Sequence, residues 1–334
     1  TNWMATPVFK RVTDEEIAPL ISPFYTTYKR RWLILIYFVL LNMANAITWI
    51  SFAPVSDKAE DFWNTNSFWV NNLSLSFAAV YIPLGFLAAW VVDHKGLQLG
   101  VMLASLATAA GAWIRVTGKW GYWYALIGQT LCGCAQPIIL SAPPKIASNW
   151  FPDDQRTLAT TLASVANPIG IAIGFLLPPI FTKTADDLPK MMFYEAIIVA
   201  GMCLPSLLLF REKPPSVPSA AADAERTDSF WHSIKLLFTD WNFLNLLSAF
   251  SMGQGAYNTL ATVVNQVLEP FGYSNSDAGL LGALVIGCGL VGALLGGPVI
   301  DKTRRYKVAL LIGYFFATAS MLVGSFELRA NNLL

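Results

Sequence analysis

The chain alternates long apolar stretches with short polar ones. Stretches long enough to cross about 30 Å of hydrocarbon run roughly over 32–50, 68–92, 97–115, 122–142, 157–180, 191–210, 242–268, 278–300 and 308–326. They predict nine membrane-spanning helices and an all-α membrane protein. Residues 1–31 lack the uninterrupted apolar core of a cleavable signal, so the first span is expected to be its own anchor. Residue 1 is Thr and the chain stops soon after the ninth span, which reads as part of a longer polypeptide.

Between spans six and seven, Arg211 to Asp228 is rich in Pro, Ser and Ala, including Pro214, Pro215 and Pro218. Such a segment neither spans nor packs and reads as a flexible linker. Phe230 to Phe238 mixes aromatics with Lys235, a pattern suited to a helix lying along the interface. The expected organisation is a cytoplasmic segment 1–31, a six-helix bundle 32–210, a cytoplasmic linker with an interfacial helix 211–240, and a partial second bundle 241–334. Six helices, a long linker and more helices of the same kind outline a transporter of two homologous bundles.

Charge orients the spans. With the N-terminus inside, sixteen Lys and Arg fall on the cytoplasmic side, and Lys58, Arg115, Lys119, Lys183, Lys190 and Arg329 on the other, using all 22. This satisfies the positive-inside rule. No basic residue is then left inside a span, and of the acids only Glu195 and Glu269 touch span ends. An uncharged interior argues against coupling to protons through a deep carboxylate, because buried ionisable groups are the usual relays.

Composition agrees with the pattern. Hydrophobic residues make up 55% and charged residues 13% of the chain, where a soluble domain carries roughly 25% charged. A net charge of +1 leaves no footprint for nucleic acid. Cys132, Cys134, Cys203 and Cys288 lie in apolar runs without metal-ligand spacing and read as buried small hydrophobes, so no metal or cofactor is expected. No nucleophile is placed beside a base either, which argues against a membrane enzyme. Trp63, Trp69, Trp120 and Trp123 fit an interfacial aromatic belt.

An internal repeat follows from two turns. Asp93-His94-Lys95-Gly96 ends span two and Gly297-Pro298-Val299-Ile300-Asp301-Lys302-Thr303-Arg304 ends span eight; 301 minus 93 is 208. The same offset carries Trp49 onto Tyr257, because 49 plus 208 is 257. A Gly one turn before the Asp admits a neighbouring helix, the Asp caps a helix N-terminus, and the cations meet helix C-termini. In the first turn Ala89 stands at the glycine position. Asp93, Lys95, Gly297, Asp301, Lys302 and Arg304 are therefore the expected gating residues, forming a cytoplasmic clasp that holds the halves in one state.

The spans carry neutral polar groups, among them Asn42, Asn45, Gln129, Gln136, Asn167, Asn258 and Asn265. In hydrocarbon each must find a partner or face water. Asn45 lies one turn before Trp49, on the same face. Gln136 and Asn167 each precede a proline, and such bends free carbonyls to line a cavity. Aromatics and amides without fixed charge suit a small organic cation, which gains about 2 kcal/mol over a desolvated aromatic face. The expected partners are a small-molecule substrate and the lipid bilayer, with the chain acting as a monomer.

The two turns resemble the signature loop of the major facilitator superfamily. Asn45 to Asp57 with its Ser51-Phe52-Ala53-Pro54 string, Ala147 to Pro152, Asn167 to Pro179, and Asn265-Gln266 after Tyr257 resemble the feline leukaemia virus subgroup C receptor-related transporters, solute carrier family 49. The strings around Pro54 and Trp150-Phe151-Pro152 are most similar to that family's third member. The similarity runs from about residue 28 to the end. It implies a twelve-helix fold, of which this chain holds the first bundle and half of the second. It also implies a cargo such as choline or ethanolamine, with heme or a pyridoxine-like vitamin as the alternative; a non-transporting receptor is a further one. The expected location is the plasma membrane, with lysosomal or other endomembranes as the alternative. In choline-carrying members a Trp on the first helix and an aromatic on the seventh cage the ammonium. The first falls on Trp49; the second, counted back from Asn265-Gln266, falls on Asn258, one place from Tyr257. The residues expected to bind solute are thus Trp49, Asn45, Gln136, Asn167, Tyr257 and Asn258.

Overall fold

A computed structural model describes residues 26–216 and 230–331, and every regular element among them is helical. Helix α1 (Arg30–Ile50) breaks into a short 3-10 turn and resumes as α2 (Ser56–Trp63). The break has a local cause. Pro54 has no N–H to offer the carbonyl of Ile50, yet its fixed φ suits the start of a new turn, Ala53–Val55. The first span therefore reaches from Arg30 to Trp63, well past the predicted end at residue 50.

The first bundle continues with α3 (Ser67–His94), α4 (Leu97–Val116), α5 (Tyr122–Trp150), α6 (Arg156–Phe181) and α7 (Leu188–Leu209). Beyond the linker come α8 (Phe230–Thr239), α9 (Trp241–Leu268), α10 (Asn275–Thr303) and α11 (Tyr306–Asn331). Each predicted span is a helix. Among the described residues eight are, by length and composition, apolar enough to cross a membrane; α9 falls short because Asn242, Asn245, Gln254, Asn258, Asn265 and Gln266 dilute it.

Small residues let the helices close on one another. On α6, Gly170 and Gly174 share one face against α1: a Cβ added at Gly174 would stand 2.5 Å from Ile50 Cγ2. Gly111 on α4 and Gly128 on α5 make the same kind of contact. Apolar side chains from α1, α4, α5 and α7, including Phe38, Val101, Ile139 and Val199, fill the core of the bundle. Large apolar side chains such as Ile82 and Phe315 point outward, as lipid-facing positions do.

The two bundles are tied at the end away from the linker. There α10 lies on α6, with Gly279 and Gly282 against Phe175, and α9 lies against the α1–α2 break. We call this the far end, and the other the linker end.

Candidate solute site at the seam between the bundles

Tyr257, Ala261 and Asn265 recur at every fourth position of α9 and so share one stripe. That stripe faces the first bundle. Trp49, 8% exposed at the end of α1, joins Phe77, Ile171, Phe175, Ala261 and Ile286 in one apolar cluster, and Tyr257 packs on it. The two aromatics related by the 208-residue offset thus lie in one cluster at the seam. Trp49 Nε1 donates to the Ser74 carbonyl at 3.3 Å, so its one polar atom is satisfied and the ring packs among apolar neighbours.

Amides and one carboxylate roof this cluster at the far end. Asn265 Nδ2 donates to Asp57 Oδ1 at 3.1 Å and to Ser56 Oγ at 3.3 Å. Asn275 Nδ2 donates to the Pro54 carbonyl at 3.0 Å and to the Asp57 carboxylate. Asn71 and Gln266 exchange two hydrogen bonds, 2.8 and 3.1 Å long. Sequence reasoning did not give Asp57 a role, although the repeat offset carries it onto Asn265.

Behind Trp49 lies a network that corrects the expectation of an uncharged interior. Arg115 and Glu195 are each 2% exposed and pair through two contacts, Nη1 to Oε1 at 2.9 Å and Nη2 to Oε2 at 3.2 Å. Arg115 was counted as an outer-loop cation and Glu195 as a span-end group. The reason is direction: helical side chains lean toward their helix N-terminus, so Arg115, in the last turn of α4, leans inward. Its guanidinium also donates to Ser51 Oγ at 2.7 Å and the Thr48 carbonyl at 3.4 Å, and stands 4.6 Å from the Phe52 ring. Gln129 Nε2 donates to the Thr48 carbonyl at 2.9 Å, and Ser74 Oγ to the Trp49 carbonyl at 3.4 Å. Carbonyls at a helix end lose their intrahelical donors. Three neighbouring helices supply replacements here and fix the turn that bears Trp49.

The other expected site residues divide. Asn45 lines no open space: it is buried in the first bundle, donating to the Cys132 carbonyl at 2.9 Å and Thr108 Oγ1 at 3.3 Å, and ties α1 to α5 and α4. Asn167 Nδ2 donates to Asn42 Oδ1 at 3.0 Å, and Asn42 passes the bond on to the Ala163 carbonyl at 2.9 Å. Gln136 is half-buried on α5, near Gly133, which packs on Phe77 at the seam. Asn258 accepts from Gln254 Nε2 at 3.2 Å, on the stripe beside that of Tyr257.

At the linker end Asp93 pairs with Lys145 of α5 at 2.7 Å, within the first bundle. Lys95, Lys302 and Arg304 are exposed, and Arg304 has a φ of 52° in the turn between α10 and α11. Among the described residues the close approach expected at Gly297 is not made, since a Cβ there meets none of them within 4 Å. The side chain of Asp301 lies outside the described residues. All four cysteines are free, but Cys134 is only half-buried and Cys288 is exposed rather than buried. Of the expected belt residues, Trp63, Trp69 and Trp123 meet Tyr122 edge to face, and the exposed Trp120 pairs with Tyr124 instead.

The sequence profile of the Major Facilitator Superfamily matches residues 33–330, and the chain belongs to that superfamily. Solute carrier family 49 member A3 of Xenopus tropicalis is 35% identical over 294 residues, which cover 85% of this chain and 61% of that protein. The choline/ethanolamine transporter flvcr2a of Danio rerio is 33% identical over 321 residues, covering 92% of this chain and 68% of that protein. Within the superfamily the chain is a member of solute carrier family 49. It spans about three fifths of the first relative's length. A bacterial homologue of the human lysosomal transporter Spinster, solved inward-facing and unoccupied, shares the fold with a TM-score of 0.67 and 16% identity, over 83% of this chain and 64% of that one.

Proposed function

We propose that the protein moves a small organic cation, of the choline or ethanolamine class, across the membrane by facilitative alternating access. The observation that carries this reading is the placement of Trp49 and Tyr257 in one apolar cluster at the seam, each supplied by a different bundle. A quaternary or primary ammonium between two aromatic faces gains about 2 kcal/mol when desolvated and needs no countercharge. The names of the choline/ethanolamine relatives support the same class of cargo. On this reading Gln136 and Asn258 supply hydrogen-bonding groups to the solute, and Asn45 and Asn167 brace the helix that carries Trp49.

On this reading the far-end roof around Asp57 is one gate. The turns at Asp93 and Asp301, with Lys95, Gly297, Lys302 and Arg304, are the other, engaged when the linker end closes. The linker end is the cytoplasmic side, and the protein works in the plasma membrane. Uptake of labelled choline and ethanolamine by cells expressing the whole protein, with pyridoxine and heme as competitors, tests the cargo. Saturable choline uptake abolished by Trp49→Ala is the expected result. Heme transport that choline does not compete with would overturn it. Cysteines at Lys213 and Asp61 in a variant lacking the four native thiols should be labelled from opposite sides of the membrane; labelling of both from one side would overturn the orientation.

A further inference from the structure

Where α1 begins, α5 ends and the linker leaves α7, the surface is hollowed into a cavity of about 370 Å³. Tyr28, Arg30, Trp150, Arg211, Lys213 and two prolines line it. Its outer wall is fastened rather than loose. Trp150, 2% exposed, donates from Nε1 to the Arg211 carbonyl at 3.1 Å, and Asn149 Nδ2 donates to the Glu212 carbonyl at 3.3 Å. The hydroxyls of Tyr28 and Ser216 bond at 3.1 Å across the mouth of the same segment.

The charge of this cavity has one sign. Three of its lining residues are cations and none is an acid; Glu212, between Arg211 and Lys213, turns its carboxylate onto Gly96 instead. None of the three cations enters an ion pair among the described residues. The 21-residue helix α1 starts here with no acid in its first turn, so its dipole adds positive potential. Guanidinium groups match phosphate oxygens in fork geometry, and a single negative charge would leave most of the cavity's charge uncompensated. Tyr and Trp beside the cations, at the level where two spans end, put the cavity at headgroup depth.

We propose that this cavity binds a phosphate-ester polyanion, the chemistry shared by a phosphoinositide headgroup and a soluble inositol phosphate. By filling the cavity the anion would fasten the start of the linker to the first bundle. This proposal stands apart from the cargo, because the cavity is at the linker end and shares no residue with the seam.

The test is direct binding to the whole protein in phosphatidylcholine nanodiscs. The probes are short-chain phosphatidylinositol 4,5-bisphosphate and inositol 1,4,5-trisphosphate, each fluorescently labelled. Both should bind saturably, and Arg30→Gln/Arg211→Gln/Lys213→Gln should weaken binding by roughly a hundredfold, about fivefold for each cation. Lys213→Glu, on the exposed rim, gives the same reading should the triple variant fail to fold. Arg305→Gln/Lys307→Gln, which removes two exposed cations elsewhere at the linker end, should leave binding unchanged. Much tighter binding of the lipid would name a membrane lipid as the occupant, and equal binding a soluble ester; either keeps the site. Undiminished binding by the cavity variants, or an equal loss in the control, would overturn it.

Discussion

Asn265 donates to Asp57 at 3.1 Å, and the two stand 208 positions apart, the separation that also relates Trp49 to Tyr257 and Asp93 to Asp301. In the register of the expected repeat, a residue and its counterpart thus touch across the seam. Halves related by an axis along the membrane normal bring a residue onto its own counterpart only where it lies close to that axis. The expected repeat would then place its axis at the roof, with Trp49 and Tyr257 each eight positions, about two helical turns, before Asp57 and Asn265.

Loosening the roof should open the far end. Asp57 receives amides from both Asn265 and Asn275, and a hydrogen bond to a charged group contributes about 1.5–3 kcal/mol. Asp57→Ala should therefore shift the population toward a far-end-open state by about tenfold or more. Spin labels at Asp61 and Tyr273 report this as a longer distance. In a double-mutant cycle Asp57→Ala and Asn265→Ala should be strongly non-additive; simple additivity would show that the pair does not act together.

Two glycines separate folding from gating. A Cβ at Gly174 would crowd Ile50 at 2.5 Å inside the first bundle, whereas one at Gly282 would meet the Phe175 ring at 2.6 Å across the seam. Gly174→Val is expected to destabilise the protein by about 1–3 kcal/mol through overpacking. Gly282→Val should leave thermal stability nearly unchanged and lengthen the Asp61–Tyr273 distance. Equal loss of stability in both would remove the distinction.

Removing one partner of the buried ion pair leaves the other charge stranded. Glu195→Gln and Arg115→Gln should each cost about 3–5 kcal/mol, seen as a lower Tm in detergent. Arg115→Gln should also impair solute binding in whatever fraction folds, because it withdraws donors from Ser51 and the Thr48 carbonyl, next to Trp49. Wild-type stability in Glu195→Gln would mean that the pair is dispensable.

Trp49→Ala should abolish saturable uptake, and Trp49→Phe should keep a weakened version, since Phe retains a face with a poorer interaction. Tyr257→Ala is expected to be the more damaging of two neighbouring changes, with Asn258→Ala milder, because Tyr257 packs on the seam cluster while Asn258 bonds within α9. The reverse order in uptake assays would move the aromatic cage one position along α9.

The positions of the helices were legible in the sequence because an apolar run of span length has few other uses. The end of the first span was not. Ser51 to Asp57 lies past the apolar run that ends at residue 50, but Pro54 starts a new turn instead of stopping the chain, and the span runs on to Trp63. The aromatic pair was found through the repeat offset, which reports topology. Side-chain direction was not encoded so openly. Asn45 shares a helical face with Trp49, yet it points to Thr108 and Cys132 inside the bundle. Arg115 and Glu195 looked like flanking charges because a one-dimensional count cannot see that each leans toward the other.

Arg115 and Glu195 are separated by 80 positions along the chain, and that interval is also a span of time. At about 5–20 residues per second, the guanidinium waits roughly 4–16 s after its own synthesis before the carboxylate is made. Through that wait it sits one turn from the end of its span, where it can reach up to the headgroups. Only with the sixth span does it acquire a partner that makes the interior habitable. Glu195 in turn precedes Tyr257 by 62 positions, so the partner that neutralises the first bundle's charged centre is made before the second bundle's aromatic is.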